Sequence, residues 1–265
     1  MVDIYAALRE CYTIATKHCG GRDLMGVFLR GSQNYGTQGP DSDIDCIAVV
    51  IPTLEDVAID REKISKTVES PYGLITVQDV RIVFKNLIKQ KPNMLEILFT
   101  PYAVTNSDYV KFYHEMKKQA EPLCRADISM LMAACLGILQ QYCKGIDKDK
   151  GSEIFQAYGY NSKMLANAYR MTLFIKEYCK NESYENAMRP AGNQSNRFYQ
   201  LKYGIACKDY EQAKELCDNW TAVSKACVEQ FEQRYVTSEG VHTDLATLNN
   251  FYQICVDLLR YAWDK

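Results

Sequence analysis

Hydrophobic and polar positions recur along this chain in two periods, and the shift from one to the other divides it. Ile4, Ala7, Leu8, Cys11, Ile14 and Ala15 form a stripe at helical spacing, which predicts a helix over residues 3–18. Asp3 is placed to cap it and Gly20-Gly21 to stop it. The uniformly apolar run 24–29 predicts a strand, and residues 43–51 predict a second, ended by Pro52 because proline donates nothing to a ladder. Residues 55–68 read as a weaker helix. Residues 74–78 alternate and are β-branched, which predicts a third strand. Asp79 then opens a helix through Val80, Val83, Phe84, Leu87 and Ile88, with Lys85, Lys89 and Lys91 near its negative end. Pro92-Asn93 restarts the chain into residues 94–99.

After Pro101 the two-residue period fades and helical stripes take over. Asp108, Asp127, Ser162, Asp209 and Asp244 each stand before an apolar stripe, the expected start signal of an amphipathic helix. Between them, residues 189–202 read as polar and poor in helix, and residues 144–151 as a soft linker. The expectation is an α+β fold, a small mixed sheet flanked by helices over residues 1–105, followed by an all-helical bundle over 106–265.

Composition narrows the partners. The chain has 265 residues, 47% hydrophobic and 24% charged, with net charge −2. No global basic field attracts polyanions, so any nucleic-acid contact has to come from a local patch. No apolar run approaches the roughly 20 residues of a membrane span, and Met1-Val2-Asp3-Ile4-Tyr5 has no signal-peptide character. Eleven cysteines without a Cys-x-x-Cys pair read as buried thiols of a reducing, cytoplasmic setting, and His18, His114 and His242 have no zinc spacing.

The candidate chemistry is concentrated in residues 31–45. Gly31-Ser32 follows an apolar run, and Asp43-Ile44-Asp45 leads into another. Alternation puts Asp43 and Asp45 on one side of an extended chain, where two carboxylates repel unless a cation joins them. Oxygen-only ligands of this kind suit Mg²⁺ or Mn²⁺, and a Gly-Ser turn offers N–H groups and a hydroxyl to a phosphate. Metal beside phosphate is nucleotide chemistry.

Gly31-Ser32, ten residues, then Asp43-Ile44-Asp45 resembles the signature of the DNA polymerase β superfamily of nucleotidyltransferases. The longer form, with Tyr35-Gly36-Thr37 and Asp41-Ser42, resembles the predicted nucleotidyltransferases grouped with the bacterial YcgL proteins, also called RlaP after their place in RNA repair operons. Two further blocks carry the resemblance: Asp79-Val80-Arg81 through Lys91-Pro92-Asn93-Met94-Leu95-Glu96-Ile97-Leu98, and Tyr158-Gly159-Tyr160-Asn161-Ser162-Lys163 with Tyr169-Arg170. Arg30 and Lys91 depart from the family pattern.

The resemblance implies a polymerase-β-like catalytic domain that moves a nucleoside monophosphate from an NTP to an acceptor hydroxyl and releases pyrophosphate. Gly31 and Ser32 would hold phosphates, and Asp43 and Asp45 would hold Mg²⁺. The superfamily usually adds a third acid from a neighbouring strand. Asp79 is the candidate, for catalysis and for metal, and it also stands where a helix cap is wanted; Glu69 and Glu96 are the reserves. Tyr35 and Thr37 either line the nucleotide site or build the turn, and Ser42 either touches ligand or shapes the approach to the strand. Lys163 and Arg170 share a helical face with Asn167, read either as a solvated face or as a cationic contact to nucleotide. The acceptor favoured is RNA, a tRNA or an RNA end. A small molecule, a protein hydroxyl, or a catalytically silent nucleotide-binding protein on the same fold are the alternatives.

Overall fold

Three strands arise where the hydrophobic pattern predicts them. β1 (Leu24–Leu29) and β2 (Cys46–Val50) are buried at every residue, as runs without polar alternation require when both faces of a sheet are covered. β4 (Gly73–Asp79) alternates, with Ile75, Val77 and Asp79 buried. In the computed structural model, which describes residues 3–40, 42–239 and 243–265, these strands belong to a five-stranded mixed sheet of order β3-β4-β2-β1-β5. β2 runs parallel to β4 and antiparallel to β1.

Two strands were not expected. β3 (Ser65–Ser70) lies in the segment read as a weak helix, of which only α3 (Leu54–Ala58) is helical. β3 is an edge strand with four of its six residues exposed, so it carries little hydrophobic signal; its pairing with β4, from Ser65 opposite Gln78 to Ser70 opposite Gly73, defines it. β5 (Ala103–Thr105) has three residues and forms against β1.

The chain's contacts separate two compact units. The first holds the residues up to Asn34, Gln38–Asp127 and Thr243–Lys265. Helix α1 (Ile4–Thr16), capped by Asp3, lays Ala7, Leu8, Cys11 and Ala15 on one face of the sheet against Cys46, Ala48, Val50, Ile75 and Val77. Between β1 and β2 the chain makes the short α2 (Ser32–Tyr35). Helix α4 (Val80–Ile88) packs on β2 and β4, and α5 (Pro92–Phe99), with Pro92 in its first turn, packs on α4. Helices α6 (Val110–Lys118), α7 (Ala120–Arg125) and α14 (Leu245–Trp263) complete the unit, with Trp263 donating from Nε1 to the Pro52 carbonyl. The sequence reading drew its division at residue 105; by contacts the helices of residues 106–127 and the last helix group with the sheet.

The second unit contains Tyr35–Thr37 and the helices from Ile128 onward: α8 (Ile128–Gly145), α9 (Glu153–Tyr158), α10 (Ser162–Tyr178), α11 (Tyr184–Met188), α12 (Asn193–Lys202) and α13 (Tyr210–Glu239). α10 is its centre, packed against the other five. α12 corrects the expectation of a helix-poor stretch; only Phe198 and Leu201 of its ten residues are buried, too few to set a periodic signal. His242 and Asp41 lie outside the described residues. Among the described residues, no helix is long and apolar enough to cross a membrane.

Candidate active site

The corner after β1 turns on Gly31, whose φ of +80° is a left-handed conformation that glycine adopts without a Cβ penalty. Its partners hold it from both sides. The Arg30 N–H donates to the Asp45 carbonyl at 2.9 Å, tying the corner to the start of β2. Glu96 of α5, 2% exposed, accepts from the Gly31 N–H at 3.2 Å and from Arg30 Nε at 3.1 Å. Behind it, buried Asn34 donates to the Leu29 carbonyl at 2.8 Å and accepts from the Thr100 hydroxyl at 2.7 Å. Glu96, Asn34 and Thr100 thus set the turn. The sequence offers Glu96 only as a reserve acid and the other two not at all; no local period marks a residue whose partners come from 65 or 66 positions away.

This arrangement changes one expected role. The Gly31 N–H is committed to Glu96, so the backbone of Gly31 is not a phosphate donor here. Ser32 is half-buried at the start of α2.

Asp43 and Asp45 lie in an extended run just before β2, both exposed, on either side of the buried Ile44. The β3–β4 hairpin fixes this run. The Ile44 N–H donates to the Tyr72 carbonyl at 2.8 Å, and Asp45 Oδ1 accepts from the Leu74 N–H at 3.1 Å. Gly73 makes room for Asp43: a Cβ on it would lie 3.0 Å from the Asp43 Cβ and 3.0 Å from the Ile44 carbonyl oxygen. Cys11 and Cys46 lie in the buried core between α1 and the sheet. The neighbouring Cys11 thiol and burial push the Cys46 thiol up.

Asp79 is not brought to this pair. The register aligns Cys46 with Ile75 and Val50 with Asp79, which puts Asp79 at the far end of β4. It lies five residues beyond Leu74, about 16 Å at the rise of a strand. There it is 1% exposed, accepts from the Arg81 N–H at 2.8 Å as the cap of α4, and makes a two-pronged ion pair with Arg81 at 2.9 and 2.7 Å. Of its two expected roles the structure gives it the cap. The strand position next to Asp45 is Leu74, 49% exposed. Glu69, the other reserve, is exposed opposite Leu74 on β3, one strand further out. Among the described residues no group of three His, Cys, Asp or Glu is arranged to hold a metal ion.

Exposed carboxylates such as Asp43 and Asp45 are the oxygen donors that Mg²⁺ takes. That ion dehydrates reluctantly and is commonly held by one or two carboxylates together with substrate phosphates, so a dedicated third ligand is not required.

Tyr35 and Thr37 are buried, and both belong to the helical unit. The Arg170 guanidinium lies 3.8 Å from the centroid of the Tyr35 ring, and Arg170 is itself 5% exposed, so it braces Tyr35 instead of facing solvent. The Ser42 hydroxyl accepts from the Gly39 N–H at 2.8 Å and shapes the approach to β2. Lys163 is exposed in the first turn of α10.

No protein-family model and no curated protein sequence matches the chain. Among solved structures it is similar to a nucleotidyltransferase-like protein from Exiguobacterium sibiricum 255-15, at 12% identity and a TM-score of 0.35, over 98% of this chain and 90% of that one.

Proposed function

We propose that this chain is a Mg²⁺-dependent nucleotidyltransferase that moves a nucleoside monophosphate from an NTP to an acceptor hydroxyl, with pyrophosphate released. RNA is the acceptor favoured by the sequence resemblance. The observation that carries the reading is the Asp43–Asp45 pair: exposed, on either side of buried Ile44, and anchored by backbone bonds to a buried sheet beside a glycine corner. Among the described residues neither carboxylate has an ion pair, which leaves their charge for a ligand.

The chemistry Mg²⁺ supplies when bound to Asp43 and Asp45 is neutralisation of the triphosphate and a lowered pKa for a coordinated hydroxyl. The chain's own part is positioning. Ser32 would hold the phosphate end, while Glu96 and Asn34 keep the corner from moving, and rate comes from orientation and charge compensation. Among the described residues no third acid is grouped with the pair to take the acceptor's proton, so the transfer is expected to be slow.

That same feature favours a second reading, a nucleotide-binding protein without transfer activity: Leu74 occupies the strand position next to Asp45. Incubation with each α-labelled NTP, Mg²⁺ and total RNA, beside the Asp43→Asn/Asp45→Asn variant, separates the two. Label transferred only by the intact protein supports the enzyme. NTP binding without transfer favours the silent protein. Absence of any thermal shift with NTP and either Mg²⁺ or Mn²⁺ sinks both.

A further inference from the structure

Acidic residues are spread through most of this chain, 33 in 265, yet two stretches of 23 residues contain none: 154–176 and 186–208. At the chain's average density they would hold about six. The first stretch contains most of α10, a buried helix in which acids are not expected. The second is different. It runs through α12, most of whose side chains reach solvent, and it carries Arg189, Arg197, Lys202 and Lys208. A solvated helix in a protein of net charge −2 ordinarily carries both signs.

The two stretches pack on each other, α10 against α12, and the Ser162 hydroxyl donates to the Lys202 carbonyl at 2.7 Å. This brings Lys163 close enough to Lys202 for its charge, added to burial, to pull the Lys202 pKa down. Lys163 and Arg197 have no ion pair or hydrogen bond among the described residues. Alongside lies an aromatic pair: the rings of Tyr199 and Tyr203 are 6.5 Å apart and within 10° of parallel, and Tyr203 is 43% exposed. The Tyr199 hydroxyl donates to the Gly36 carbonyl at 3.4 Å, which fixes the inner ring and leaves the outer one open.

From this we infer that the α10–α12 face, with Lys163, Arg197 and Lys202 for phosphates and Tyr203 for a base, binds single-stranded nucleic acid. Lys163 and Arg197, without ion pairs among the described residues, set the polyanion, and the partly exposed Tyr203 ring beside Lys202 selects bases that are not already stacked in a duplex. Exposed Asn196 and Gln200 on the same helix add hydrogen-bonding groups that read base edges without repelling phosphate. As a binding surface the face stands alone; as the acceptor's surface it rests on the transferase reading.

The test is fluorescence anisotropy with an end-labelled single-stranded RNA 12-mer and its blunt duplex, at low and moderate salt, without nucleotide or metal. Its outcome therefore does not depend on whether transfer occurs. The single strand is expected to bind about tenfold or more tightly than the duplex. Lys163→Glu/Lys202→Glu should weaken binding more than tenfold and flatten its salt dependence. Tyr203→Ala should weaken it about five- to fiftyfold with the salt slope unchanged, and Tyr203→Phe should retain it. The proposal is overturned if the single strand does not bind at low salt, if the duplex binds equally well, or if the folded Lys163→Glu/Lys202→Glu or Tyr203→Ala variant binds like the wild type. Unchanged circular dichroism and melting temperature of the variants establish that they are folded.

Discussion

The two ends of strand β4 each meet a pair of aspartates, treated in opposite ways. At the Gly73 end, Asp43 and Asp45 are exposed, and their one side-chain bond from the hairpin is a backbone N–H at 3.1 Å. At the Asp79 end, Asp56 and Asp79 are each 1% exposed and taken up by arginines. Arg22 grips Asp56 at 2.5 and 2.8 Å, Arg61 adds a contact at 3.1 Å, and Arg81 grips Asp79. Asp56 also forms a capping box with Thr53. Identical side chains thus stand in opposite environments. A buried carboxylate must have its charge compensated inside the fold, while one kept for a ligand has to be left exposed and uncompensated.

The comparison can be broken most forcefully at Asp79. Asp79→Asn leaves the Arg81 guanidinium, 16% exposed, without its counter-charge. A loss of roughly 3–5 kcal/mol in urea unfolding is expected. NTP binding should persist under conditions where the variant is folded. Loss of transfer with stability unchanged would instead make Asp79 an active-site acid.

Acid should find the same end next. The hydrogen bond from Arg22 holds the Asp56 carboxyl well below the usual carboxylate range. A depressed folded pKa contributes stability above the unfolded value of about 3.9 and loses it as pH falls toward the folded one. Stability should therefore decline from about pH 4 downward, and Asp56→Asn should flatten that slope. An identical slope in the variant would assign the acid sensitivity elsewhere.

The gentlest change sharpens the other end. Leu74→Asp puts a carboxylate beside Asp45 at a position already 49% exposed, so stability should move by no more than about 0.5 kcal/mol. If a missing base limits transfer, the initial rate of label transfer should rise about tenfold. A rate unchanged at full NTP affinity would show that the absent acid is not the limit.

The cap role of Asp79 is legible in part from the sequence. Asp79 shares parity with Ile75 and Val77, and those residues meet α1, on the face away from Leu74. Which residue of β4 stands beside Asp45, however, depends on the register of a parallel pair of strands joined through 22 residues. Local pattern does not encode that. β3 escaped for a related reason: its exposed Ser65, Lys66, Thr67 and Glu69 carry no hydrophobic period, and only β4 makes them a strand. α12 escaped because most of it faces water.

By itself the sequence determined what depends on near neighbours: the buried strands β1 and β2, the caps at Asp3, Asp79 and Asp244, the glycine corner, and a carboxylate pair on one side of an extended run. Burial and backbone geometry enforce these within a few residues. The tertiary structure decided what depends on distant partners: Glu96 taking the Gly31 N–H, Arg81 and the α4 cap claiming Asp79, Arg170 bracing Tyr35, and Leu74 standing beside Asp45. Whether a carboxylate serves the fold or a ligand is set by what reaches it across space, and spacing along the chain does not carry that information.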